Sequence, residues 1–299
     1  MLKKLFLSLH QQKNTENMED VMLTFRSNEL CPLMTKEEIR QKAPFVFCKE
    51  KTNPGTSDRY AFADTETLID DMARLGWGVT DCKQQRPNKR SNIRSYHTLA
   101  FQNPKIFLTG DNGEIEAFPR IIVSNSHDGF HSFKFMCGLY RLVCSNGVVL
   151  ADAEFTAFSV RHINYDFGEL QRIVAQSIEM TRTKVSLIND MQATKLSLEQ
   201  KSRLATRAVA IRKGVDESEL KITGTEIEGI LEPVRKEDEG DDLWSVFNVL
   251  QEKVIKGDFT LGKTKTGKSR KARPITGAAK DIEVNQALFL AASEYLQAA

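Results

Sequence analysis

The sequence predicts an α+β fold, an antiparallel meander sheet in the N-terminal half packed against long helices from the C-terminal half. Three observations predict it. Pro119 to Ala151 alternates with period two and turns at His127-Asp128-Gly129 and at Asn146-Gly147, pairs that supply positive φ to tight hairpins. From Phe167 the apolar period changes to 3.6, with Leu170, Val174, Ile178, Val185 and Ile188 along one stripe. Strands come first and helices later, without βαβ alternation.

Taken in order, MLKKLFLSLHQQKN carries an apolar run too short for a signal peptide, so residues 1–17 are expected to be a flexible leader, with Met18 as an alternative start. Residues 18–299 are expected to form a single α+β domain, mainly sheet over 18–165 and mainly helical over 166–299. Thr35 caps a helix that ends before Ala43-Pro44. Phe45 to Phe47 is expected to extend. Asp64 caps a helix with Leu68, Met72 and Leu75 on one face, closed by Gly76.

Strands are expected at Trp77 to Gln85, Ile93 to Phe101, Ile106 to Leu108, Ile115 to Phe118, Arg120 to Asn125, along the Phe133, Phe135, Cys137 alternation, and at Phe155 to His162. The long helix runs to Gln192. Ser197 and Gln200 form a capping box for the next, which closes at Gly214. A short helix near Thr225 to Leu231 and an acidic linker lead to a helix capped at Asp241 or Asp242, with Leu243, Val246, Phe247, Leu250 and Val254 aligned. A C-terminal helix starts near Ala278.

The chain has 299 residues, 40% of them hydrophobic, enough for a full core. Net charge is +2, so whole-molecule charge points to no partner and the distribution of charge must. Five widely spaced cysteines without a C-x-x-C pair suggest reduced thiols in a cytoplasmic protein. No stretch reaches membrane-spanning length.

Gly262 to Ser269 matches G-x-x-x-x-G-K-[ST] letter for letter. A phosphate-binding loop needs a helix starting at Lys268, and Pro274 would stop it, so the match is expected to be a basic loop. A second pattern is His97, His127, Asp128, His131 and His162, which would serve a metal-dependent enzyme if they converged. The competing reading is turn chemistry at Asp128-Gly129 and polar sheet residues elsewhere.

The third pattern is charge. Lys83 to His97 carries Arg86, Lys89, Arg90 and Arg94 without an acid and ends beside Tyr96. Lys263 to Pro274 carries Lys265, Lys268, Arg270, Lys271 and Arg273, again without an acid. Acid-free runs in a nearly neutral chain are what contact with phosphate backbones requires. Tyr96 and Trp77 are candidate stacking faces.

Ala43-Pro-Phe-Val-Phe47, Asn125-Ser-His-Asp-Gly129, Tyr140-Arg-Leu-Val-Cys-Ser-Asn-Gly147, Arg161-His162, Asp242-Leu-Trp-Ser-Val-Phe-Asn248 with Gln251-Glu252, and Asn285-Gln-Ala-Leu288 follow one another over residues 43–296. In this the chain resembles an uncharacterised phage/plasmid-like protein family, the domain of unknown function 932 family. The resemblance implies a mobile-element origin in a bacterial host's cytoplasm and no established reaction. A curved sheet backed by long helices is also similar to the layout of single-strand annealing proteins, a fold-level analogy.

The leading expectation is a non-enzymatic nucleic-acid-binding protein, a single-strand annealing or recombination accessory. Its partner would be single-stranded DNA, held by Arg86, Lys89, Arg90, Arg94, Tyr96, Lys265, Lys268, Arg270, Lys271 and Arg273, without a cofactor or membrane and with room for homo-oligomers. The alternatives are the metal-dependent enzyme above and a protein-interaction or anti-defence factor.

Overall fold

The computed structural model describes residues 4–7, 27–56, 62–85, 95–109, 114–142, 146–149, 167–257, 259–263 and 269–297. The chain packs as two compact units, one of Leu2–Val148 and Asp152–Thr183, the other of Lys184–Ala299 with Met1 and Val149–Ala151.

In the first unit, seven strands form one sheet among the described residues: β1 (Lys4–Leu7), β2 (Gly78–Gln84), β3 (His97–Gln102), β4 (Ile106–Thr109), β5 (Ile115–Asn125), β6 (Lys134–Arg141) and β7 (Asn146–Val149). β5 is the hub. It pairs antiparallel with β6 from Ala117↔Arg141 to Ser124↔Lys134, while its other edge takes β4 at Ala117↔Leu108 and then β3 from Ile121↔Phe101 to Asn125↔His97. Two expected strands are thus one, running through Pro119. That residue sits where the edge changes partner from β4 to β3, so its missing N–H removes no ladder bond there.

Both faces of this central strand are buried. One face, with Leu99, Phe101, Ile121, Val123, Phe135 and Cys137, packs on helix α2 (Thr65–Arg74) through Leu68, Ile69 and Met72. Leu170, Ile173 and Val174, from the start of α3 (Phe167–Ala193), belong to the same core. Helix α1 (Lys36–Lys42) has the capping box of Thr35 and Glu38 and adds Ile39.

Three expectations for this unit are corrected. Lys4–Leu7 is not leader but strand, since the apolar run Leu5-Phe6-Leu7 after Lys4 finds an open edge on β4. Pro44–Phe47 forms a 3₁₀ turn, because proline's fixed φ suits a first helical position. Asn146-Gly147 begins β7 rather than turning, so any connection from β6 falls on 143–145, outside the described residues. The expected strand at Phe155 to His162 also lies outside them.

The second unit is helical: the end of α3, α4 (Leu198–Lys213), α5 (Gly224–Leu231), α6 (Leu243–Lys256) and α7 (Ala278–Gln297), with a hairpin of β8 (Thr260–Lys263) and β9 (Ser269–Lys271). Ser197 with Gln200 and Thr223 with Glu226 form capping boxes, and Asp242 caps α6. Alanines 205 and 208 on α4 and 291 and 292 on α7 are buried, and small side chains of this kind let helix backbones approach. Trp244 stacks on Phe247 at 5.5 Å, and Phe247 meets Phe289 edge-on at 5.8 Å. Among the described residues no helix is long and apolar enough to cross a membrane.

Candidate nucleic-acid interface

The β8–β9 hairpin carries the described part of the C-terminal basic run. Thr260 pairs with Lys271 and Lys263 with Ser269, and Arg270, Lys271 and Arg273 are exposed. Both legs are tied down. The Ala272 N–H donates to the Phe259 carbonyl at 2.9 Å and the Ile275 N–H to the Ile255 carbonyl at 2.8 Å. Arg212, at the end of α4, donates to the carbonyls of Val254 and Arg273, and its burial lowers its pKa. The phosphate-loop lettering therefore lies across a hairpin. Where a nucleotide site needs a helix N-terminus, the chain has β9. Lys265 and Lys268 lie outside the described residues, as do Arg86, Lys89, Arg90 and Arg94.

The base of the other basic run is described. The Gln85 N–H donates to the Tyr96 carbonyl at 2.7 Å, extending the described β2–β3 ladder by one bond. Ser95, the next described residue after Gln85, donates its N–H to Asp128 Oδ2 at 3.0 Å. Its hydroxyl oxygen accepts from the His127 N–H at 2.7 Å and from the Thr52 hydroxyl at 3.0 Å. Asp128 Oδ1 accepts from the Phe130 N–H at 2.9 Å. Burial would raise the Asp128 carboxyl, but these amides hold it below the usual range.

Tyr96 is not a stacking face for bases: it is 7% exposed, its ring lies 4.5 Å from that of His131, and burial raises its hydroxyl pKa despite a bond with Ser124. Trp77 is buried in the core. Both candidate stacking faces are turned into the fold. Among the described residues the exposed aromatic is Phe130, which turn chemistry at Asp128-Gly129 gave no reason to single out.

The histidines do come together, in part. His97 and His127 rings are 5.0 Å apart, and His127 stacks on Phe62 at 4.7 Å. His97 Nδ1 donates to the Ser95 carbonyl at 2.8 Å. That fixes Nε2 as the acceptor of the Thr65 hydroxyl at 3.0 Å, and Thr65 accepts in turn from Asn125 Nδ2 at 2.9 Å. Burial, then the neighbouring His127, pushes the His97 pKa down to about 3.

Among the described residues no group of three His, Cys, Asp or Glu side chains is placed to hold a metal ion. The metal reading of His97, His127, Asp128 and His131 is corrected accordingly: both His97 nitrogens and both Asp128 oxygens are engaged in fixing turns, and His162 lies outside the described residues. Cys31 and Cys82 are free thiols whose burial raises their pKa to about 12 and about 11, which leaves them poor nucleophiles.

Residues 55–289 match the sequence model of a family described as a domain of unknown function (DUF932). The chain belongs to the DUF932 family. This DUF932 chain is 30% identical over 278 residues to UPF0380 protein YafZ of Escherichia coli (strain K12), covering 88% of this chain and 92% of the relative. It is 29% identical to UPF0380 protein YfjQ of the same organism over the same shares. No solved structure matches it. The resemblance read from the motifs thus holds for the DUF932 chain along most of its length, including the turn Asn125-Ser-His-Asp-Gly129 and the α6 segment Asp242 to Glu252.

Proposed function

We propose that this DUF932 chain is a non-enzymatic nucleic-acid-binding protein of a bacterial mobile element, with single-stranded DNA as its partner in an annealing or recombination step. The observation that supports this reading most is the β8–β9 hairpin. It holds Arg270, Lys271 and Arg273 in solvent, within a run from Lys263 to Pro274 that has no acid, on legs anchored to α6 and α4. Anchored cations lose less entropy on meeting a phosphate than cations on a loose tether. The second acid-free run, with Arg86, Lys89, Arg90 and Arg94, lies in sequence between Gln85 and Ser95, whose backbone amides are both held by hydrogen bonds.

The test is a titration of a fluorescein-labelled oligo-dT by anisotropy. Binding at about 50 mM salt that weakens by at least tenfold at about 200 mM is expected for a site neutralising several phosphates. Arg90→Glu combined with Lys271→Glu should abolish binding at the lower salt. No binding by the parent chain, or none lost in the double variant, ends the proposal. Capture of a protein from host lysate that survives nuclease treatment would favour an interaction factor instead.

A further inference from the structure

Cations near helix C-termini ordinarily answer the helix dipole. That accounts for Arg212 at the end of α4 and Lys256 at the end of α6. It does not account for Arg270, Lys271 and Arg273, which lie on β9 or just beyond it and are exposed.

The backbone beneath these three cations is tied to the helices at several points. The last carbonyls of α6 are taken in turn: Lys253 accepts from the Gly257 N–H at 2.8 Å, Val254 from the Arg212 guanidinium, and Ile255 from the Ile275 N–H at 2.8 Å. Arg212 also donates to the Arg273 carbonyl and lies 5.9 Å from the centre of the Phe259 ring. Phe259 immediately precedes β8 and Arg273 follows β9, so one side chain on α4 joins the end of α6 to both legs of the hairpin. Arg212 is thereby occupied with carbonyls, while Arg273 has its carbonyl fixed and its side chain in solvent. Successive strand residues point to opposite faces, so Arg270 and Lys271 carry charge to either side of β9.

The side chains of this segment also limit what it recognises. From Thr260 to Gly277 the chain has no acid, no aromatic ring and no amide side chain. A base is ordinarily held by stacking on a ring or by pairing with an amide, a carboxylate or, at guanine, an arginine or lysine. A thymine strand has no guanine, which leaves the cations its phosphates.

We infer that the β8–β9 hairpin grips the sugar-phosphate backbone without reading bases, and that Arg212 is the positioning residue that sets Arg270, Lys271 and Arg273 for it. This role rests on the nucleic-acid reading and deepens it. A strand held through its phosphates keeps its base edges open to a second strand, as an annealing step requires.

The experiment titrates the full chain, Lys271→Glu, Arg212→Met and Arg212→Lys with labelled oligo-dT and with an abasic oligonucleotide of equal length, over a series of salt concentrations. All are measured where circular dichroism shows the parent fold. Lys271→Glu should weaken both strands by the same factor, about tenfold, and lower the salt slope by about 1. Arg212→Met should weaken both about fivefold with the slope unchanged, because the phosphate contacts persist on a looser backbone. Arg212→Lys keeps one donor group and should fall between Arg212→Met and the parent; if Arg212→Met does not fold, Arg212→Lys alone carries the comparison. A loss in Lys271→Glu confined to oligo-dT overturns the backbone grip. Parent affinity in the Arg212 variants, or a slope lowered by about 1 in them, overturns the positioning role. All of these results leave the nucleic-acid reading standing. Failure of the parent chain to bind either strand ends that reading and the hairpin's role with it.

Discussion

Gly257 and Arg273 stand so close that a Cβ on the glycine would lie 2.5 Å from the Arg273 carbonyl carbon. Gly257 closes α6 with φ +81°, and Arg273 is where the chain leaves the basic hairpin. Gly257→Ala adds a left-handed strain of about 1–2 kcal/mol and a backbone clash besides. Gly257→Asn tolerates the φ but not the contact. Both variants should lower the urea midpoint and speed exchange of the Ala272 amide. A Gly257→Asn protein with the parent midpoint would mean that Arg273 moves aside without cost.

Acid should loosen the sheet unit through His97. Its folded pKa of about 3 lies below the unfolded value, so the neutral ring's contribution is fully present above pH about 6.5 and is lost as pH falls from there toward about 3. Protonation places a donor on Nε2, where the Thr65 hydroxyl already donates. His127 and Asp128 are the titratable groups that act on it, one disfavouring and one favouring the charge. Replacing His97 by Gln lowers stability at neutral pH but should flatten the slope between pH 6.5 and 3. An unchanged slope in urea titrations at four pH values refutes the assignment.

Asp128→Ala removes the acceptor of two amides, and a loss of about 2–4 kcal/mol is expected from two unsatisfied donors. Asp128→Asn keeps one acceptor and should fall between. Because the carboxyl is held below its usual range, its contribution is present above the unfolded pKa of about 3.9 and disappears as pH drops through the folded one. Equal stability of Ala and Asn variants would show that the turn stands without these bonds.

Arg235 sits between two buried carboxylates, 3.0 Å from Asp238 and also paired with Glu252, which Lys256 approaches at 2.6 Å. Burial would raise the Glu252 carboxyl, yet Arg235 and Lys256 hold it low. Truncating Arg235 to Ala should destabilise the helical unit by about 3 kcal/mol or more, because it leaves Asp238 buried without its cation. Loss below about 1 kcal/mol in calorimetry would mean that water reaches Asp238 instead.

What could be read from residue order alone was whatever depends on neighbours in sequence. The caps at Thr35, Asp64, Ser197 and Asp242, the αL Gly214, and the refusal of the Gly262 to Ser269 match all follow from local backbone chemistry. What could not be read depends on partners far along the chain. Ile115 to Phe118 and Arg120 to Asn125 read as two strands, and only the shared partners β4, β3 and β6 make them one through Pro119. Tyr96 looked available until Ser124 and His131 enclosed it. At the candidate interface Arg270, Lys271 and Arg273, expected to bind nucleic acid, are exposed, while the exposure of Phe130 could not be read because a turn signal says nothing about which side chain it leaves in water.

The pairing of Lys4–Leu7 with Ile106–Thr109 carries a practical consequence. A shortened version begun at Met18 would strip β4 of its outer neighbour, leaving a row of unsatisfied amides and carbonyls ready to recruit the same strand from another copy. Such a version should aggregate during purification, and a bulky N-terminal fusion that pries β1 away should do the same.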